Sequence, residues 1–331
     1  MNEAIAKADV LLEALPFMRR FAGRTIVIKY GGHAMLDERL KSGFAEDVVL
    51  LKSLGLHPVI VHGGGPQIEE ALKRHGIETH FVRGMRVTDA ATMEIVEMVL
   101  GGQINKGIVA DIHNHGGKAI GITGKDGRMM VAEKLEMRVE EKGAGGKKKY
   151  VLVDIGLVGK ITSINTEVIE RIAGTDFIPV IAPIATDEEG RTYNVNGDVA
   201  AAEIARGLKA AKLILLTDVA GIKDAGGKVQ PLLSAAEARK QVRDGTIASG
   251  MVPKVECAID ALEGGVSQVH IIDGRVKHAV LLEIFTKQGV GTEVVLGTSS
   301  GKRAQKAGGS AATSVAATKG KAAKKAKEGA A

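Results

Sequence analysis

An α/β protein built on a mainly parallel sheet is the fold class this sequence predicts, and three observations predict it. Short aliphatic and β-branched runs alternate with stretches of helical periodicity. The first two of these runs each end in glycines, where the chain must leave a strand. The third observation is size: 331 residues of 45% hydrophobic content can bury a core large enough for two lobes.

Composition narrows the class further. The single cysteine, Cys257, rules out a disulfide framework and a thiolate-rich zinc site, and it fits a reducing compartment. Glu3, Asp9 and Glu13 interrupt the apolar N-terminus, so it lacks a signal peptide's h-region. Nowhere do roughly 18 apolar residues run together. A cytoplasmic protein with no membrane contact is expected. The net charge of +6 is unevenly spread. Residues 301–331 hold seven Lys, one Arg and one Glu, a net of +7, which leaves −1 for the first 300 residues. This tail is too poor in apolar bulk to fold alone; it is a solvated appendage or an electrostatic contact for an acidic polymer.

Along the chain, residues 3–21 place Leu11, Leu15, Met18 and Phe21 near one helical face, with Pro16 breaking the hydrogen-bond ladder: a kinked amphipathic helix. Thr25-Ile-Val-Ile-Lys-Tyr-Gly-Gly32 reads as a buried strand running into a glycine turn. Lys29 thus stands at the strand's carboxyl end, where open α/β sheets bind ligands, unless it simply snorkels from a tight turn. A helix from about Asp37 to Leu54 ends at Gly55, and Pro58–Val61 is the next strand. That strand enters His62-Gly-Gly-Gly-Pro-Gln67 just ahead of another helix, where free amides and the macrodipole favour an anion. The loop is no dinucleotide fingerprint, since Ile68 stands where the third glycine belongs, and no Gly-Lys pair precedes Ser or Thr as a Walker A loop would require.

Arg86, in Gly84-Met-Arg-Val-Thr88, is a surface arginine or a bidentate carboxylate holder. Helices follow from Asp89 to about His115, then a strand at Ala119–Ile122 and a turn at Gly124–Gly127. Met129–Val139 and Tyr150–Asp154 flank a lysine-rich stretch and predict a protruding hairpin with a polar tip. A helix at Asn165–Ala173 and a strand at Ile178–Ala182 close the first lobe. Asn194, Asn196 and Asp198 crowd the start of an alanine-rich helix, where one Asx cap accounts for only one of the three. Leu213–Ile222 is a buried strand with a polar turn, Gly250-Met-Val-Pro-Lys254 opens a helix carrying Lys254, and Gln268–Ile272 is a further strand. Gly297-Thr-Ser-Ser-Gly301 matches a nucleophile-elbow pattern, but it lies where apolar periodicity ends and reads as linker.

Six stretches in register, namely Val27–Gly32, His62–Gly65, Gly84–Thr88, Asn194–Asp198, Leu216–Gly221 and Gly250–Lys254, resemble the amino-acid kinase family over about residues 20–297. The order and spacing are similar to the branch that phosphorylates N-acetyl-L-glutamate. The run His278-x-x-Leu-x-Glu-Ile-Phe-Thr-x-x-Gly-x-Gly-Thr292, with the kinked helix, resembles the arginine-inhibited members. The resemblance implies a three-layer αβα sandwich around an open, mainly parallel eight-stranded sheet. It also implies MgATP-dependent phosphorylation of the γ-carboxylate, a homohexamer arranged as a trimer of dimers, and L-arginine as inhibitor. The chain would divide into a helix for oligomerisation and effector binding (1–22), an acceptor-binding lobe (23–183), an ATP-binding lobe (184–298) and a disordered tail (299–331).

Carried over residue by residue, the resemblance puts Lys29, Lys254, Asp198 and the amide of Gly32 at the transferring phosphoryl group. Gly64, Gly65, Arg86 and Asn194 would hold the acceptor, with the Gly64 amide also donating to the phosphoryl oxygens. Thr217, Asp218, Gly221 and Lys223 would line the nucleotide pocket. Phe17, His278, Glu283, Gly289 and Gly291 would form the effector site, and Mg²⁺ would ride on phosphates and water, with no dedicated metal ligands in the protein. Phe17 departs from the pattern, since relatives often carry tyrosine there, so a hydroxyl contact to the effector is missing while inhibition is still expected. Two rivals stand beside this reading: a kinase of the same fold acting on an aminoadipate-type carboxylate, and a nucleic-acid-associated protein working through the tail.

Overall fold

The computed structural model describes residues 2–142 and 148–297. The polar hairpin tip and the lysine-rich tail expected from the sequence lie outside the described residues.

The chain begins with α1 (Asn2–Phe21), which contains Pro16. Its C-terminal end packs on its own chain through Ala14, Phe17, Met18 and Phe21. Leu11 departs from the predicted apolar face: it is 64% exposed, beside Val10 and Leu12. A β-α-β unit follows: β1 (Thr25–Tyr30), α2 (Glu38–Ser53) and β2 (His57–His62). The Asp37 carboxylate caps α2 by accepting from the Arg39 and Leu40 amides, and Gly55 (φ 81°) turns the chain out of it. Pro66 sits in the first turn of α3 (Gly65–Arg74), where its missing N–H costs nothing.

Next come a two-stranded hairpin, β3 (Phe81–Val82) and β4 (Met85–Arg86), then α4 (Ala90–Glu97), a π-helical segment over Met98–Ile104, α5 (Asn105–Asn114) and β5 (Lys118–Thr123). The predicted Met129–Val139 strand is two strands, β6 (Met130–Lys134) and β7 (Met137–Lys142), in different sheets. The break falls where the Leu135 amide is drawn to the Val158 carbonyl. Strand β7 pairs antiparallel with β8 (Lys148–Val153), as the hairpin pattern predicts. Strand β6 joins β9 (Gly159–Ile164), β11 (Ile184–Thr186) and β12 (Thr192–Asn194) in a four-stranded sheet that periodicity did not reveal. Between them run α6 (Glu167–Ala173) and β10 (Phe177–Ala182).

The remainder comprises α7 (Gly197–Gly207), β13 (Lys212–Thr217), β14 (Leu232–Ser234), α8 (Ala235–Arg243), α9 (Met251–Glu263), β15 (Val269–Asp273), α10 (Ala279–Phe285) and β16 (Thr292–Val295). The main sheet has eight strands in the order β14-β16-β15-β13-β1-β2-β10-β5. All its pairings are parallel except β15 with β16. Helices α1–α5 and α10 cover one face and α6–α9 the other, which makes the three-layer αβα sandwich and its open, mainly parallel sheet.

Alternation along β1 decides where Lys29 points. Ile26, Ile28 and Tyr30 face the first helical layer, while Val27 packs in the second with Val59 and Val61 of β2. By the two-residue period of a strand, Lys29 shares the Val27 face and is directed toward α7. The strand order reverses at β1, whose neighbours are β2 and β13, and a reversal of that kind opens a crevice at the carboxyl ends of the strands.

Candidate active site

Lys29 and Lys254 meet on one carboxylate. The Lys29 ammonium lies 3.2 Å from Asp198 Oδ1, and Lys254 donates to Asp198 Oδ2 at 2.6 Å. Three elements deliver them: β1, the N-terminus of α7, and the first turn of α9. The cap of α7 is Asn196, which accepts from the Asp198 and Val199 amides and so frees Asp198 to face the lysines. Burial works to raise the Asp198 carboxyl, but the two ammonium groups outweigh it and hold it at about 2. The cluster is therefore charged at neutral pH, with two cations to one anion. One turn further along α9, Cys257 is buried and its thiol is pushed up to about 12, chiefly by burial, so it is no nucleophile.

Glycine turns bracket this cluster. A Cβ at Gly31 would meet the Lys29 ammonium at 2.6 Å, and Gly32 (φ 72°) has the Asp218 carboxylate where its Cβ would stand. A Cβ at Gly64 would collide with the side-chain end of Ile104 and stand 2.7 Å from that of Leu100, both on the π-helical segment, so a larger residue there would force them aside. A pocket of roughly 200 Å³ opens between Lys29, Asp198 and the Gly63–Gly65 loop on one side and Arg86 and Asn194 on the other.

Arg86 is only 6% exposed, so it is not a surface arginine. Its guanidinium donates to Thr79 Oγ1 and to the Gly65 carbonyl (3.1 Å) and stacks 4.6 Å over the Phe81 ring. Asn194 donates to Thr88 Oγ1 at 3.3 Å, and Thr88 donates to the Arg86 carbonyl, so the two acceptor candidates are tied through a fully buried threonine. Sequence reasoning missed Thr88 and the tight β3–β4 turn at Arg83 and Gly84, both at positive φ.

Thr217 ends β13 on the other side of β1, and Asp218 accepts the His33 amide at 2.7 Å. Gly221 (φ 139°) packs against Thr292 and Gly291, and Lys223 is exposed at the mouth of a short bridge to Val229. These four residues follow the same sheet edge but do not line the Lys29 pocket.

The effector candidates separate. Glu283 accepts from the Val290 amide at 2.9 Å and pairs with His270 at 2.7 Å, which ties α10 to the Gly289–Gly291 turn. Phe17 packs in the same helical layer. His278, at the other end of α10, pairs with Asp47 of α2 at 2.6 Å instead.

Residues 24–273 match the model of the amino acid kinase family. The acetylglutamate kinase of Geobacter metallireducens is 56% identical over 294 residues, 89% of this chain and 99% of that one. In structure, N-acetylglutamate synthase from Neisseria gonorrhoeae, complexed with coenzyme A and N-acetyl-glutamate, superimposes with a TM-score of 0.76 at 26% identity, over 88% of this chain. This chain spans 64% of that synthase. The same synthase complexed with coenzyme A and L-arginine gives a TM-score of 0.72 at 25% identity, covering 88% of this chain and 65% of that one. Matched across its sheet and more than half identical to a relative along nearly all of that relative's length, the chain belongs to the amino acid kinase family, among its acetylglutamate kinases.

Proposed function

We propose that this chain transfers the γ-phosphoryl group of ATP to the γ-carboxylate of N-acetyl-L-glutamate, the phosphorylation step that its kinase relatives perform in arginine biosynthesis, in the cytoplasm. The observation that carries the reading is two lysines sharing one buried aspartate beside two glycine turns at the switch point of a parallel sheet. A carboxylate acceptor is ionised at neutral pH and needs no general base, so the protein's work reduces to alignment and charge neutralisation. Lys29 and Lys254 flank the transferring phosphoryl group, Asp198 holds them apart and oriented, and the Gly32 and Gly64 amides donate to its equatorial oxygens. Gly64, Gly65, Arg86 and Asn194 hold the acceptor, with Arg86 on its α-carboxylate, and the Thr217–Lys223 turn lines the nucleotide pocket.

Among the described residues no cluster of three His, Cys, Asp or Glu side chains is placed to hold a metal. Mg²⁺ in this proposal arrives on the nucleotide phosphates, and no step is routed through a protein-bound ion. L-arginine is the proposed inhibitor, bound near Phe17, Glu283, Gly289 and Gly291; the arginine complex of the synthase of like fold supports this choice. The apolar N-terminal half of α1, with Ile5, Val10, Leu11 and Leu12 each more than half exposed, supports a hexamer in which that helix packs on another subunit.

The test is an acyl-phosphate assay trapping product with hydroxylamine, using N-acetylglutamate and MgATP with and without L-arginine. Arginine-suppressed turnover is expected. Faster turnover of an aminoadipate derivative would overturn the acceptor, and loss of turnover on deleting residues 301–331 from a folded protein would favour the tail-centred rival.

A further inference from the structure

His62 ends β2, directly before the three glycines, and it is completely buried. Its Nδ1 lies 2.8 Å from the Gly63 carbonyl, and its Nε2 lies 3.2 Å from Asn105 Nδ2. The neighbours fix both groups. Asn105 Nδ2 also faces the carbonyls of Val180 (3.0 Å) and Ile122 (3.4 Å), while Asn105 Oδ1 accepts from the Lys106 ammonium at 3.2 Å. Only the amide orientation with nitrogen toward His62 is compatible with this surrounding: its two N–H groups are shared among His62 Nε2 and the two carbonyls, and Oδ1 takes the Lys106 proton. Nε2 must then accept, so the ring proton sits on Nδ1, where it donates to the Gly63 carbonyl. Lys106 is in turn anchored on the Gly121 carbonyl at 2.7 Å, and at Gly121 a Cβ would stand on the Asn105 amide.

The consequence passes through one peptide plane. The Gly63 carbonyl and the Gly64 N–H belong to the same planar trans peptide and point in opposite directions, so holding the first aims the second. The Gly63 N–H is taken by the Tyr30 carbonyl (2.7 Å) and the Gly64 carbonyl by the Ile68 amide (2.9 Å). The Gly64 N–H donates to no group among the described residues, and Gly64 lines the pocket that holds Lys29 and Asp198.

We propose that His62 is a positioning residue for phosphoryl transfer: as the Nδ1–H tautomer, set from behind by Asn105, it holds the Gly63 carbonyl and so aims the Gly64 N–H at the phosphoryl group. The proposal rests on the kinase reading. Burial keeps the ring neutral, pushing its pKa down to about 4, so the imidazole takes no part in proton transfer and its work is geometric.

Two substitutions separate this from a structural role. His62→Asn keeps an amide N–H at the Nδ1 place, whereas His62→Gln reaches toward the Nε2 place and leaves the Gly63 carbonyl unheld. In the hydroxylamine assay with N-acetylglutamate and MgATP, His62→Gln is expected to lower kcat at least ~10-fold, short of the ~100-fold that loss of a whole oxyanion donor costs, with both KM values little changed. His62→Asn is expected to restore most of kcat. Equal loss in both variants, or an unaffected His62→Gln, overturns the role. Should thermal unfolding find either variant unfolded, Asn105→Ala carries the test: it leaves His62 in place but releases its tautomer, and kcat must fall at constant KM, an unchanged kcat overturning the proposal. A wild-type protein without turnover overturns the kinase reading itself, whereas an active wild type with an unaffected His62→Gln overturns only the positioning role.

Discussion

Two clusters of buried charge sit on opposite layers of the same sheet, and they are built to different ends. Lys29, Asp198 and Lys254 lie on the α7 side with side chains 10–17% exposed, and they open onto a pocket. Lys212, His270, Glu283 and Glu293 lie beneath α1 and α10 with side chains 2–5% exposed. In the first cluster, cations outnumber the anion, and a phosphoryl group can complete the balance. In the second, carboxylates, lysine and a histidine bond to one another, to Gln268 and to the Val290 amide, which closes the site from within. The lesson is that ionic density alone does not mark an active site; ionic density facing a cavity does.

The comparison breaks most sharply if the first cluster proves dispensable. Lys29→Ala and Lys254→Ala are each expected to lower kcat of the folded protein by ~100-fold or more, the scale of losing a transition-state donor. Small losses in both would end the two-lysine mechanism. The second cluster should answer in the opposite currency: Glu283→Ala strands the partners of a buried carboxylate and is expected to cost about 3 kcal/mol of stability while the folded fraction keeps its kcat. A drop in kcat at unchanged stability would erase the distinction between the clusters.

Acid titration sharpens it further. Asp198 is held below its unfolded value, so its stabilising effect is complete above about pH 4 and is lost as pH falls toward about 2, roughly 2 kcal/mol in all. Asp198→Asn should flatten that part of a stability–pH curve, and an unchanged curve would show the carboxylate is not held by the lysines. His270 is also depressed, chiefly by burial, so its share is lost as pH falls below about 6.5, ahead of Asp198. The smallest expected effect is Arg86→Ala, which should raise KM for the acceptor more than it lowers kcat; an unchanged KM would remove Arg86 from the acceptor pocket.

The sequence made the first cluster legible because each member stands at a punctuation mark: Lys29 before a glycine pair, Asp198 at a helix start, Lys254 just past one. The eight-stranded sheet was readable for a similar reason, since β1, β2, β10 and β13 are aliphatic runs whose interior residues are almost wholly buried. The four-stranded sheet was not, because β11 and β12 are three residues long and carry no period to detect. The function of His62 was hidden too, since its tautomer is dictated by Asn105, 43 positions away. The Gly101-Gly102 pair inside a helical stretch was the one local hint of the π-helical segment that packs under Gly64.

Gly121 has a practical consequence for genetics. It lies on the edge strand β5, far along the sheet from either lysine, yet any Cβ there would displace the Asn105 amide. In a library of single substitutions selected for growth without supplied arginine, position 121 should be depleted too, though less than Lys29 or Lys254. A geneticist reading only the survival map would take it for part of the reaction centre, when its whole contribution is to leave an asparagine room.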